Sequence, residues 1–235
     1  MASGLYQQRT FREAAGSELR PGGLALTGAL VQECGLSPGQ RVLDVGCGVG
    51  SSASFLAHNH GLEVTGLDEC PEFIDEARGR HRGVVWMLGD ASSLPFPDGS
   101  FDAVLCECVL SLMDDPAVVL GEIRRVLRQG GQLALSDMYL RNPDALALGP
   151  RPAQGCCLCG ALPLDDLTAL VEGAGLHVQL CEDRSQTLGS LVASLIFAYG
   201  SAEHLWDSAF RGEHGSSRWL TTVRPGYLIL VATAP

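Results

Sequence analysis

Short, continuously apolar runs alternate with helix-like or turn-like stretches along this chain, and that alternation constrains its fold more than any other feature. RVLDV (41–45), LEVTGL (62–67), GVVWML (83–88), FDAVLC (101–106), GQLALSDM (131–138), HVQLC (177–181) and GYLILVAT (226–233) read as strands. Most are apolar throughout rather than on alternate residues, as expected of parallel strands covered on both faces. The clearest helix is DDPAVVLGEIRRVLRQGG, with Pro116 in its first turn, Val119, Leu120, Ile123, Val126 and Leu127 on one side, and glycines just past its end. Repeated βαβ units of this kind imply an α/β fold, a doubly wound Rossmann-like sheet.

Length and composition fit that reading. The 235 residues, 46% hydrophobic and 18% charged with 29 glycines, describe a loop-punctuated globular chain. We expect a single domain over residues 1–235, with a ligand-binding core at about 40–140, a cysteine-rich substrate loop at 141–162 and the C-terminal part of the sheet at 163–235. The net charge of −11 argues against a nucleic-acid partner, which would need a basic surface, and favours a small-molecule substrate. The N-terminal residues lack a basic stretch followed by an apolar core, and LGSLVASLIFAYG (188–200) is shorter than the roughly 20 residues that span a bilayer. A cytoplasmic location with no membrane partner is therefore expected. In a reducing compartment the nine cysteines are read as free thiols, with most of Cys34, Cys47, Cys70, Cys106 and Cys181 packing as small hydrophobes.

The segment VLDVGCGVG (42–50) runs from a strand into a glycine turn that opens a helix. Gly46, Gly48 and Gly50 would let a ligand approach the backbone closely. The G-x-G-x-G spacing differs from the dinucleotide-binding pattern, and Asp44 at the strand end would repel a pyrophosphate but suit a cation. Asp68, about 20 residues on at the end of the second strand, stands where a carboxylate can accept both hydroxyls of a ribose. The third strand ends on GDASSLPF, which offers Asp90 and the Ala91 backbone. Caps and turns would be the plainer roles for these aspartates.

Taken together, the three segments resemble the class I S-adenosylmethionine-dependent methyltransferases over roughly residues 40–140. The resemblance implies a seven-stranded sheet with GYLILVAT as its antiparallel last strand. It also implies S-adenosylmethionine as cosubstrate, with the glycine turn on the methionine part, Asp68 on the ribose and Asp90 on the adenine amine. The backbone around Glu107 would lie near the transferred methyl.

From about residue 100 to 175 the chain further resembles the arsenite methyltransferases. The segments that carry this likeness are CECVLSL (106–112), GGQLALSDMY (130–139) and GCCLCGAL (155–162). It implies that Cys108 and Cys157 hold trivalent arsenic as substrate and act in catalysis, with Cys156 and Cys159 as additional thiols. Soft thiolates suit such a thiophilic ion. The chain departs from that family after the glycine turn, where Ser51, Ser52 and Ala53 replace another cysteine. Either Cys156 or Cys159 supplies the missing ligand, or the substrate is already methylated or thiol-bound and needs only two.

Other readings of the cysteines remain open. They could bind structural zinc, although C-C-x-C lacks a matching second pair. They could overlie the site of a methyltransferase for a small organic acceptor, similar to quinone or sterol enzymes. The chain could also be a non-catalytic metal or metalloid sensor. No histidine among His58, His60, His81, His177, His204 and His214 sits in a context that suggests a general base. Residues 185–206 read as an apolar helical tract packing on the core, and Trp206, Phe210 and Trp219 receive no role.

Overall fold

The computed structural model describes residues 4–16, 19–142, 156–210 and 222–235. Residues 143–155 of the expected substrate loop, with His214 and Trp219, lie outside the described residues. The seven expected strands form one sheet: β1 (Arg41–Val45), β2 (Glu63–Asp68), β3 (Val85–Leu88), β4 (Phe101–Glu107), β5 (Leu127–Leu140), β7 (His177–Asp183) and β8 (Pro225–Thr233). The two-residue β6 (Leu162–Pro163) is added beside the end of β5, so the sheet has eight strands rather than seven. The order is β3-β2-β1-β4-β5-β8-β7. Strands β1 to β5 run parallel, and β8 runs antiparallel to both β5 and β7.

Alternate residues of the central strands face opposite layers, which is why these strands read as continuous apolar runs. Val42, Ala103, Leu105 and Ile229 pack with α3 (Gly23–Glu33), α4 (Ser51–His60) and α5 (Pro71–Arg80). Leu43, Val45, Val104, Leu133 and Leu230 pack with α6 (Pro116–Val126) and α7 (Leu164–Gly173). Each such buried aliphatic side chain stabilises the fold by about 1.5–3 kcal/mol. Both faces are covered, as a doubly wound sheet requires. The edge strand β7 instead alternates exposed and half-buried residues, and its Cys181 is exposed rather than packed.

Helix α6 starts where expected. Asp115 caps it by accepting from the N–H groups of Ala117 at 3.1 Å and Val118 at 3.3 Å, with Pro116 following. It ends earlier than its glycines suggest, because Leu127 is already extended and begins β5. Gly130 (φ +75°) and Gly131 belong to the strand, where the chain makes an irregular start opposite Phe101 and Ala103.

The apolar tract from 185 divides at Gly200 (φ +80°) into α8 (Ser185–Tyr199) and α9 (Ala202–Ala209). Helix α8 packs on β8 and on α2 (Arg9–Ala15), yet only Leu195 in it is fully buried and Phe197 is 90% exposed. The N-terminal segment, α1 (Gly4–Gln7) with α2, is fastened to the α8 and α9 side by Tyr199 Oη and Ser208 Oγ, which donate to Gln8 Oε1 at 2.9 and 2.8 Å. No helix among the described residues is long and apolar enough to cross a membrane.

Candidate active site

The C-terminal ends of β1, β2, β3 and β4 share one edge of the sheet, and an open cleft of about 1060 Å³, open solvent included, lies along it. Asp44, Gly46, Gly48, Asp68, Asp90, Ala91, Glu107 and Cys108 all line this cleft. Gly50 stands just behind it under the Trp86 ring. The topology alone dictates this convergence, since parallel strands in one sheet deliver their ends to the same side.

Gly48 has φ +53°, and a Cβ there would meet nothing within 4 Å, so this turn leaves a bare backbone facing open space. Asp68 orients the turn. Its Oδ2 accepts the Gly48 N–H at 2.8 Å and its Oδ1 accepts the Cys70 N–H at 2.9 Å. Each oxygen keeps a lone pair for a ligand, so capping and ligand binding are compatible at this residue. Burial pushes the Asp68 carboxyl above its ordinary range, and those two amides pull it back. Asp90 is exposed at the cleft edge and accepts from Ser92 N–H at 2.8 Å, which holds its carboxyl below the usual range.

Arg20 is the functional residue that the sequence does not announce. Among the described residues lining the cleft it is the only cation. It is buried, and its Nη2 lies 2.8 Å from Glu107 Oε2, with both side chains 4% exposed. Nη2 also donates to Ser52 Oγ at 3.1 Å and to Thr27 Oγ1. Glu107 accepts from Ser52 Oγ at 2.8 Å and from Thr27 Oγ1 at 3.3 Å. Burial raises the Glu107 carboxyl, while Arg20, Ser52 and Thr27 lower it.

Asp44 lies beside this pair, 2% exposed, and its Oδ2 has no hydrogen-bond partner. Burial and the neighbouring Glu107 push its carboxyl well above the ordinary range. An orphaned buried carboxylate oxygen, a buried arginine and a bare glycine turn together suit a zwitterionic ligand. The guanidinium would take a carboxylate, and Asp44 with Glu107 would face an ammonium or sulfonium. The residues present therefore fit S-adenosylmethionine.

The thiols lie on the far side of Glu107. Cys108 takes φ +57°, a left-handed conformation uncommon for a residue with a Cβ, and its N–H donates to the Ser136 carbonyl at 2.7 Å. Its Sγ is 3.3 Å from Tyr227 Oη, which is itself 2.9 Å from Ser136 Oγ. The Cys108 and Cys157 thiols hydrogen-bond to each other, and that contact, followed by burial, holds Cys108 protonated far above the usual thiol range. The Cys157 N–H donates to Tyr6 Oη at 3.2 Å, and Tyr6 lines the cleft.

Cys156, Cys157 and Cys159 stand behind Tyr6 rather than in the cleft wall, with Cys156 buried and the other two half-buried. Among the described residues no three or more His, Cys, Asp or Glu side chains are arranged to hold a metal ion. None of the described histidines lines the cleft. Trp206 and Phe210 stack in the α9 region at 6.1 Å between centroids, away from the cleft lining.

Residues 43–135 match the methyltransferase domain family. O-methyltransferase rstn1 from Aspergillus nomiae is 34% identical over 168 residues, covering 64% of this chain and 70% of that protein. The chain belongs to the class I S-adenosylmethionine-dependent methyltransferases. An arsenite methyltransferase from Halobacterium salinarum is 35% identical over 151 residues, 60% of this chain and 38% of that protein. Among solved structures, the [4+2]-cyclase SpnF superposes with a TM-score of 0.72 at 27% identity, covering 90% of this chain and 80% of its own. The chain spans less than two thirds of the length of several curated relatives it matches, 46%, 64% and 38% in three of them. A cyclase on this methyltransferase fold shows why the reaction must be argued from the site.

Proposed function

We propose that this chain transfers a methyl group from S-adenosylmethionine to a small, soft acceptor held at Cys108 and Cys157, and that trivalent arsenic is the acceptor best suited to the site. The observation that carries the reading is the thiol pair itself. Cys108 in the cleft wall and Cys157 from a separate loop are near neighbours, held by Tyr227 on one side and Tyr6 on the other, and the methionine end of the cosubstrate would lie beside Glu107, next in the chain to Cys108.

Each part of the site has a task under this reading. Arg20, Glu107 and Asp44 hold the amino-acid end of the cosubstrate, Asp68 its ribose and Asp90 its adenine. Bound S-adenosylmethionine supplies an electrophilic methyl on a sulfonium sulfur. Tyr227 fixes Cys108 from one side, and Tyr6 fixes the backbone of Cys157 from the other. Loading of a methylarsonous acid forms two As–S bonds and breaks two As–O bonds, and the thiol protons depart with the hydroxyls as two waters. A thiol held protonated, as Cys108 is, is therefore competent without a general base, consistent with the lack of histidine among the described lining residues. The arsenic lone pair, held in line, needs only positioning, which is worth about 7–11 kcal/mol over free encounter. A pair rather than a triad of thiols favours a methylated or thiol-bound arsenic over inorganic arsenite.

The O-methyltransferase names among the relatives favour a second reading, an organic hydroxyl acceptor approaching past Tyr6. Mass spectrometry of products after incubation with donor, reduced glutathione and either arsenite or methylarsonous acid separates the two. Methylated arsenic supports the first. Its absence from a protein that still binds donor moves the assignment to an organic acceptor, and absence of turnover with any labelled-methyl acceptor points to a sensor. Reduced thiols of this kind also fit the cytoplasmic location we propose.

A further inference from the structure

The thiols near one another at this corner differ in their first partners. Cys157 turns towards Cys108, whereas Cys156 and Cys159 hydrogen-bond to each other. The backbone explains the division. The Cys159 N–H donates to the Cys156 carbonyl at 2.9 Å, closing a four-residue turn. Such a turn brings its first and last Cα within about 7 Å, close to the roughly 4.4–6.8 Å that a disulfide spans. Cys157, second in the turn, is drawn elsewhere by its own contacts to Tyr6 and Cys108. Gly160, next in the chain, packs on the Ser111 carbonyl so closely that no Cβ would fit, which anchors the turn to the short helical segment Leu110–Leu112.

Accessibility divides the labour within the outer pair. Cys156 is 5% exposed, and its contact with Cys159 together with burial keeps its proton on. Cys159 is half-buried and can be reached. A C-x-x-C spacing with one reachable and one sheltered sulfur offers an attacking thiol and, beside it, a second thiol that can resolve the mixed disulfide.

We propose that Cys156 and Cys159 form a reversible disulfide, an exchange site for a small-molecule disulfide or dithiol, flanking the acceptor thiol Cys157. Cys159 attacks one sulfur of a disulfide RS–SR, forming a mixed disulfide and releasing one RSH. Cys156 then attacks the Cys159 sulfur, closing the internal S–S bond and releasing the second RSH. Two electrons and two protons have passed from the protein to the small disulfide, and a small dithiol reverses the process. The bond ties both ends of the turn that carries Cys157, so the redox state of the outer pair governs how Cys157 meets Cys108. This inference goes beyond methyl transfer and is independent of the acceptor.

The test uses the full chain equilibrated without oxygen in mixtures of glutathione and glutathione disulfide, alkylated, digested and sequenced by mass spectrometry. A Cys156–Cys159 link should appear in one two-electron transition, vanish with dithiothreitol and persist in Cys157→Ser. Cys156→Ser should retain glutathione on Cys159, and Cys159→Ser should form neither the link nor an adduct at Cys156. Calorimetric binding of S-adenosylhomocysteine verifies that each variant is folded. A link that runs to Cys157 or Cys108 instead, a stable glutathione adduct on the wild type, or thiols that stay reduced in every mixture would overturn the proposal. Loss of methyl transfer with the link intact would refute only the preceding section.

Discussion

Replacing Arg20 by methionine should damage the protein in a way that depends on pH, and the dependence is the informative part. The substitution keeps most of the apolar stem but removes the only cation among the described cleft-lining residues, next to Glu107 and Asp44, both of which are buried. Breaking a buried ion pair from one side costs about 3–5 kcal/mol. For a chain of this size that is a fall in Tm of roughly 6–20 °C, at about 2–4 °C per kcal/mol. Without Arg20 the Glu107 and Asp44 carboxyls rise further above their unfolded values, because burial and mutual repulsion already raise them and the arginine lowers both. A raised folded pKa gives stability that is complete at low pH and lost as pH rises through it. The deficit of the variant should therefore be largest near pH 8 and shrink as pH falls towards 5. Urea unfolding of both proteins at three pH values measures this, with donor binding by calorimetry in parallel. Affinity should drop about 10- to 150-fold, the loss of one hydrogen bond to a charged group at about 1.5–3 kcal/mol. A deficit that is constant with pH, or unaltered donor affinity, would refute the electrostatic account of this corner.

Further outcomes follow from the same geometry. Asp68→Ala should abolish donor binding by calorimetry while arsenic still binds, and Cys157→Ser should do the reverse; equal damage to both by either change would argue against separate sites. Tyr227→Phe should leave Ser136 Oγ without its partner and cost about 1–3 kcal/mol in chemical denaturation, with slower turnover but unchanged donor affinity. Gly160→Ala should push the Cys156–Cys159 turn away from Ser111 and lower turnover with donor binding retained, as paired calorimetry and activity assays would show. Because burial and Glu107 raise the Asp44 carboxyl in the free protein and a bound cation would lower it again, cosubstrate binding should release protons and tighten with rising pH; calorimetry in buffers of different ionisation enthalpy reads this directly, and proton uptake would contradict it.

The convergence of Gly46, Gly48, Asp68 and Asp90 on one cleft was legible in the sequence because local rules fix it. A strand that ends in Gly46-x-Gly48 can lead only to a tight turn, and Asp68 and Asp90 stand at the ends of recognisable apolar runs. Their placement then follows from parallel strands ending on one side. Arg20 was not legible, since it reaches the cleft through packing of a segment with no strong periodicity, and its partner Glu107 is some 87 positions away (107 − 20). Tyr227 was hidden inside an apolar strand, its hydroxyl meaningful only once β8 is paired with β5 so that it reaches Ser136 and Cys108. The pairing of Cys108 with Cys157 was expected from resemblance, but the separation of Cys156 and Cys159 into a pair of their own depends on a turn that spacing alone leaves undetermined. Gly130 and Gly131 looked like a helix stop; their actual place in β5 reflects the register shift against β4. Cys181 is the exposed exception among the thiols expected to pack, because an edge strand covers only one face.

The position of β8 has a consequence for how the molecule is made. It follows β7 in the chain yet lies between β7 and β5, so neither neighbour can complete its hydrogen bonding before it arrives. On the ribosome, the strands from β1 to β5 can assemble early, whereas the wall that presents Tyr227 to Cys108 closes only after this late strand threads into its slot. Nascent chains would thus acquire the cleft lined by Asp44, Asp68 and Asp90 well before the corner where Tyr227 meets Cys108.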